Sequence, residues 1–204
     1  MDIIFVVEQL NVGGIATTNL RWAAALVKQG YKVAIFCQKQ AGNYLQQVPA
    51  GVHVEVANAS RAMFSAPQLY RFLRKHPDAV VISSAYTSVF ACFLKPRRMK
   101  SWIIVPSSPV LNRQMALQNK RASRVSPVHM LYRLAIQRAD LISAVSNGVA
   151  REVESWVGLP EKSVHTLYNP AYTPDFEACA AHPVPHPWLD DDQLITFVSC
   201  GSLA

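Results

Sequence analysis

Residues 2–37 read DIIFVVEQLNVGGIATTNLRWAAALVKQGYKVAIFC, and this stretch decides the fold. DIIFVV is a short run of branched and aromatic residues without alternation, which suits a strand buried on both faces. The period then changes. Ala16, Leu20, Ala23 and Val27 fall at i, i+4, i+7 and i+11, along one face of a helix. Gly30 stands where a left-handed cap ends such a helix, and YKVAIFC (31–37) gives a second buried strand. A strand, a helix and a strand with short connections make a parallel β-α-β unit.

The same alternation continues outward. GVHVEVA (51–57) is a strand with period-two character, residues 67–75 are helical, and DAVVISS (78–84) is another buried strand. YTSVFACFLK (86–95) reads as a short helix and SWIIVP (101–106) as a strand closed by Pro106. Residues 107–125 are polar and basic without a period, as in a loop. Ser126-Pro127 starts a helix whose buried face carries Val128, Leu131 and Ala135. DLISAVS (140–146) is a strand, and Ser146 caps a helix striped by Val149, Val153, Trp156 and Val157 and ended by Gly158 and Pro160. SVHTLYNP (163–170) is one further strand. The fold expected is α/β: a Rossmann-like parallel sheet with helices on both faces. Residues 1–175 form that domain. Residues 176–192, rich in proline, alanine and acid, form a linker, and LITFVSCGSLA, within 193–204, opens a new strand and turn.

Composition narrows the function classes. Half of the 204 residues are hydrophobic, which excludes a disordered chain. A formal charge of +7 favours an anionic partner: a phosphorylated substrate, an acidic membrane surface or nucleic acid. Nucleic acid fits poorly, since no aromatic residues interleave with the basic ones. Cys37, Cys92, Cys179 and Cys200 are too scattered for a CxxC site and read as reduced thiols, with no metal expected. MDIIFVV is too short and too acidic for a signal peptide, so a cytoplasmic location is expected.

Ligands of such folds bind at the carboxyl ends of the strands. The first loop there is EQLNVGGIATTN (8–19). Gly13 and Gly14 let the backbone approach a phosphate, and the helix behind them offers unpaired N–H groups. A tight strand-to-helix turn explains a lone glycine pair equally well. Thr17 stands where a dinucleotide fingerprint would need its third glycine, and no P-loop lysine follows. Basic residues cluster at Lys95, Arg97, Arg98 and Lys100, and again at Arg113, Lys120, Arg121 and Arg124. They suit an anionic surface, or simply a solvated face. His182 and His186 lie among prolines and cannot share a helix face as metal ligands. No GxSxG elbow surrounds Ser107 and Ser108.

Three stretches together resemble the N-terminal half of a GT-B glycosyltransferase of the retaining family 4. They are NVGGIATTNLRWAAALVKQGYKVAIF (11–36), RADLISAVSNGVAREVESWVGLPEKSVHTLYNPAYTPDF (138–176) and LITFVSCGSLA (194–204). The resemblance implies hexosyl transfer from a nucleotide-sugar to a glycan or lipid-linked acceptor with retention. This chain would be the acceptor-binding half, with no cofactor beyond the nucleotide-sugar co-substrate. It also implies that a donor domain lies beyond Ala204 or is separately encoded, so that the chain alone is inactive. Gly13 and Gly14 match the family's donor-phosphate loop. Asn11, Ser107, Ser108 and Arg113 are acceptor-side candidates, although PSSP (106–109) replaces the histidine that many members carry. Lys95, Arg97, Arg98, Lys100, Arg121 and Arg124 are candidates for peripheral contact with the inner membrane surface. A non-catalytic binding module, or an inactive remnant, is the alternative expectation.

Overall fold

The computed structural model describes residues 1–11, 13–39, 42–84, 91–96, 101–105, 130, 134–170, 172, 175–189, 191 and 193–199. Two compact units divide the chain, residues 1–170 and 171–204.

In the first unit, DIIFVV becomes β1 (Ile3–Val7), all five residues of which are buried, and YKVAIFC becomes β2 (Val33–Cys37), likewise buried throughout. Strands this apolar need cover on both faces, and they take the middle of the sheet. β3 (His53–Val56) alternates exposed and half-buried side chains, as an edge strand does. With β4 (Val80–Ser84), β5 (Ser101–Val105), β6 (Leu141–Ala144) and β7 (His165–Thr166) they form, among the described residues, a seven-stranded sheet. Its order is β3-β2-β1-β4-β5-β6-β7, and every pairing is parallel.

Helix α1 (Gly14–Lys28) lays Ala16, Leu20 and Ala23 over one face, against Ile3, Phe5 and Val7 of β1 and Val33, Ile35 and Cys37 of β2. The other face packs Ile4, Val6, Ala34, Phe36 and Val81 against Leu69, Phe72 and Leu73 of α2 (Ala66–Lys75). Phe5 and Phe36 are both fully buried, on opposite sides of the sheet. Each contributes about 1.5–3 kcal/mol by leaving water. Phe36 meets the Phe72 ring at 5.5 Å between centroids. Helix α3 (Asn147–Val157) adds Ala150 and Val157 to that second face.

The helix stops act as their residues dictate. Gly30 adopts φ 88°, its N–H donates to the Val27 carbonyl at 2.9 Å, and the Tyr31 N–H donates to Leu26 at 3.1 Å. This pair of bonds closes a Schellman turn. Ser146 Oγ accepts from the Val149 N–H at 3.3 Å to start α3, and Gly158 at φ 74° ends it. Glu154, buried in α3, holds the chain entering β7 by accepting from the Val164 N–H at 3.0 Å.

Some expectations change. The strand expected over 163–170 contracts to His165–Thr166, the two residues that pair with Ser143 and Ala144 at the end of β6. GNYLQQ (42–47), unassigned from sequence, contains a 3-10 helix at Asn43–Gln47. The expected helices around 86–95 and from 126 are seen only in part, as helical residues 91–93 and 134–136, with Ala135 buried. The loop expected over 107–125 lies outside the described residues.

The second unit contains a short helix α4 (Phe176–Ala180) inside the stretch expected to be linker. Tyr172 packs on Phe176 with ring centroids 5.4 Å apart, and Thr196 Oγ1 donates to the Trp188 carbonyl at 2.8 Å. The apolar run expected to be a strand carries no ladder over residues 194–199, and Ile195, Phe197 and Val198 are exposed. One strand cannot satisfy its own backbone groups; it needs a neighbour.

Candidate functional site

Parallel pairing brings every strand's carboxyl end to one edge of the sheet. The path β1→β2→β3 runs to one side of β1, and β4 starts on the other. In sheets of this order the ligand crevice lies past the carboxyl ends of the strands flanking the reversal, here β1 and β4. The β1 end of that crevice is the loop that sequence singled out, and Asn11, Gly13 and Gly14 come together there.

Gly13 precedes the first turn of α1, and no side chain caps that end. The N–H groups of the first turn have no intrahelical acceptor, and no acidic residue occupies the turn. The Gly13 carbonyl is used, accepting from the Thr17 N–H and from Thr17 Oγ1, both at 3.1 Å. Among the described residues, a Cβ built on Gly13 or Gly14 would meet nothing within 4 Å. Both glycines thus face open space in front of an uncapped, electropositive helix end, which is the geometry for an anion. Helix α3, whose start is closed by Ser146, offers no such end.

The exit of β2 supports this loop. The Lys39 N–H donates to the Glu8 carbonyl at 2.9 Å, and the Lys39 ammonium pairs with the Glu8 carboxylate. The Tyr44 N–H donates to the Leu10 carbonyl at 3.1 Å, and Leu10 is fully buried. Gly42 lies directly against Asn11. Gln38, at the same edge, is fully buried, and neither atom of its amide finds a hydrogen-bond partner among the described residues. Sequence reading reached Asn11 and its loop but missed Gln38, Lys39, Gly42 and Tyr44. The only available signal was the glycine in AGNY (41–44), which reads as a turn.

The end of β7 is fixed from two directions. The Leu167 N–H donates to the Ala144 carbonyl at 2.8 Å, and Thr166 Oγ1 donates to Asn147 Oδ1 at 2.6 Å. From α1, Arg21 Nη1 donates to the Pro170 carbonyl at 2.8 Å. The Tyr-Asn-Pro segment is thereby tied to the first helix.

Lys95 stands apart from the glycine loop. Its ammonium pairs with Asp140, the residue that leads into β6 and so lies at the amino edge of the sheet. Its charge is balanced there. Arg97, Arg98, Lys100, Ser107, Ser108, Arg113, Arg121 and Arg124 lie outside the described residues. Among the described residues no cluster of His, Cys, Asp and Glu could hold a metal ion, and no helix is long and apolar enough to cross a membrane. Cys37 and Cys92 are buried free thiols, both pushed up to about 12 by burial.

No curated protein matches the chain. Among solved structures it is similar to the apo form of a lipopolysaccharide outer core galactosyltransferase, WaaB, with a TM-score of 0.53 and 14% identity. The likeness covers 83% of this chain and 46% of that one, so the chain spans less than half of that protein's length. At such identity the likeness shows the fold, a Rossmann-like half of the GT-B type. The family model for Glycosyltransferase Family 4 matches residues 12–173, from the glycine loop through the segment that follows β7. Spanning well over half of the chain, that match shows that the chain belongs to glycosyltransferase family 4.

Proposed function

We propose that this chain is the acceptor-binding half of a retaining hexosyltransferase that uses a nucleotide-sugar donor and a glycan or lipid-linked acceptor. The observation that carries this reading is the uncapped start of α1 behind two glycines with open space before them. A donor diphosphate meets first-turn N–H groups there as charge-assisted hydrogen bonds. In the reaction the acceptor oxygen bonds to the anomeric carbon while the bond from that carbon to the phosphate oxygen breaks. The nucleoside diphosphate leaves, and its phosphate oxygen takes the acceptor's proton. Positive charge at the loop stabilises the phosphate as its negative charge grows. No metal or further cofactor is invoked.

The chain contributes one Rossmann-like sheet, and a second domain is taken to hold the sugar nucleotide across the cleft. Family membership and the partial span of the similar structure support that reading. The +7 charge supports a phosphorylated acceptor or peripheral contact with an acidic membrane surface at its cytoplasmic side. The described part of the basic cluster, Lys95, adds little, being paired with Asp140.

The test compares this chain alone with the chain joined to its downstream reading frame. Each is assayed for donor hydrolysis and transfer with a panel of nucleotide-sugars and a membrane extract as acceptor. Activity confined to the joined form is the expected result. Activity of the short chain refutes the need for a second domain, and silence in both favours a non-catalytic binding module.

A further inference from the structure

We infer that the residues leaving β2, 38–39 and 42–47, form a positioning element for the glycine loop, and that Gly42 is its critical residue. The described residues of the loop between β1 and α1 have no regular structure of their own. Among the described residues, the backbone hydrogen bonds that reach its residues 8–11, apart from strand and helix pairing, come from the Lys39 and Tyr44 N–H groups. The Glu8–Lys39 ion pair adds a third link, and the burial of Leu10 beside half-buried Tyr44 adds a fourth. The β2 exit therefore sets where Asn11, Gly13 and Gly14 stand.

Gly42 has φ −77° and ψ −170°, a backbone open to any residue. Glycine is needed there for space. A Cβ would lie 2.5 Å from the Leu10 carbonyl oxygen and would overlap the Asn11 side chain. The carbonyl is backbone and cannot swing aside, so a side chain at 42 must push the loop back or break the Tyr44–Leu10 bond. Asn11 and Gly42 are thirty-one positions apart in sequence, by subtraction of their numbers, yet they share one contact. This element matters for transfer only if the glycine loop meets the donor phosphates, as proposed above. A loop that must present N–H groups to a phosphate loses rate when displaced by a fraction of an ångström.

The experiment is site-resolved hydrogen exchange on the chain itself, comparing wild type with Gly42→Ala. Amides of the loop and of the first turn of α1 are expected to exchange at least about tenfold faster, with those of β1 and β4 unchanged. Adding Asn11→Gly to Gly42→Ala removes one of the two overlaps and should restore part of the protection. Lys39→Met, which cuts the ion pair without altering the turn, is the second variant should Gly42→Ala fail to fold; it should loosen the same amides. Unchanged loop exchange, or a uniform rise across the sheet, overturns the inference. In the transfer-competent form, kcat/KM should fall with the loop loosened and the melting temperature little changed. A loosened loop with full transfer leaves the positioning element standing and removes the glycine loop from the reaction instead.

Discussion

Gly14 separates stability from function, because substitutions there should spare the fold while a bulky one blocks transfer. It is the first residue of α1, and a Cβ there meets nothing within 4 Å among the described residues. Gly14→Ala therefore introduces no clash, while it reduces the freedom of the unfolded chain, a gain of about 0.4–1 kcal/mol. For a domain of this size, that raises the melting temperature by about 1–4 °C. The bulkier Gly14→Val should also fold, since the space is open. Its branched side chain, however, fills the approach to the first-turn N–H groups. Losing one charge-assisted hydrogen bond costs about 1.5–3 kcal/mol. That corresponds to a fall of about 10- to 150-fold in kcat/KM for transfer. Thermal melts of both variants and transfer kinetics in the active form decide the matter. A destabilised Gly14→Ala would show that the space is not free. Near-normal turnover of a folded Gly14→Val would remove the donor phosphates from this loop.

Other consequences follow from single groups. Glu154→Leu strands the buried Val164 N–H and should cost about 1–3 kcal/mol in urea unfolding, whereas Glu154→Gln keeps an acceptor and should cost much less; equal losses would refute the bond's role. His76 sits below its ordinary pKa through partial burial first, then the amino-terminal charge, His53 and Lys75. The unfolded chain thus binds that proton more readily, so stability is complete above about pH 6.5 and declines as pH falls toward the lower native value. His76→Gln should flatten that slope, and an unaltered slope in urea titrations counts against it. Cys37 and Cys92, pushed up to about 12 by burial, should resist a thiol reagent at neutral pH until the chain unfolds. Exposed Cys179 should react at once, and peptide mapping that shows early labelling of either buried cysteine contradicts the packing.

Reading residues in order reached the sheet and the glycine loop for a physical reason. Strand and helix periods are local: IIFVV and VAIFC announce two-sided burial, and Ala16, Leu20 and Ala23 announce a covering face. The caps at Gly30, Ser146 and Gly158 are local too, since each rests on a hydroxyl or on a left-handed backbone that glycine takes at low cost. The open helix start at Gly13 and Gly14 belongs to the same class. Local signals do not show which distant segment a residue will meet. LITFVSC carries the residues of a strand, yet described residues 194–199 carry no ladder, because pairing is a property of two segments. Lys95 looked like a free surface charge, and a residue forty-five positions away balances it.

By itself, then, the sequence determined the alternation of strands and helices, the turn at Gly13 and Gly14 and the motifs that mark a family 4 glycosyltransferase. Only the tertiary structure decided that β4 lies on the far side of β1 from β2, so that the strand order reverses beside the glycine loop. It alone brought Lys39 to Glu8, Tyr44 to Leu10 and Gly42 to Asn11. Periodicity and capping are set by residues within a turn or two of one another, whereas these contacts depend on strand order and on how closely two exits of the sheet approach. No window along the chain contains that distance.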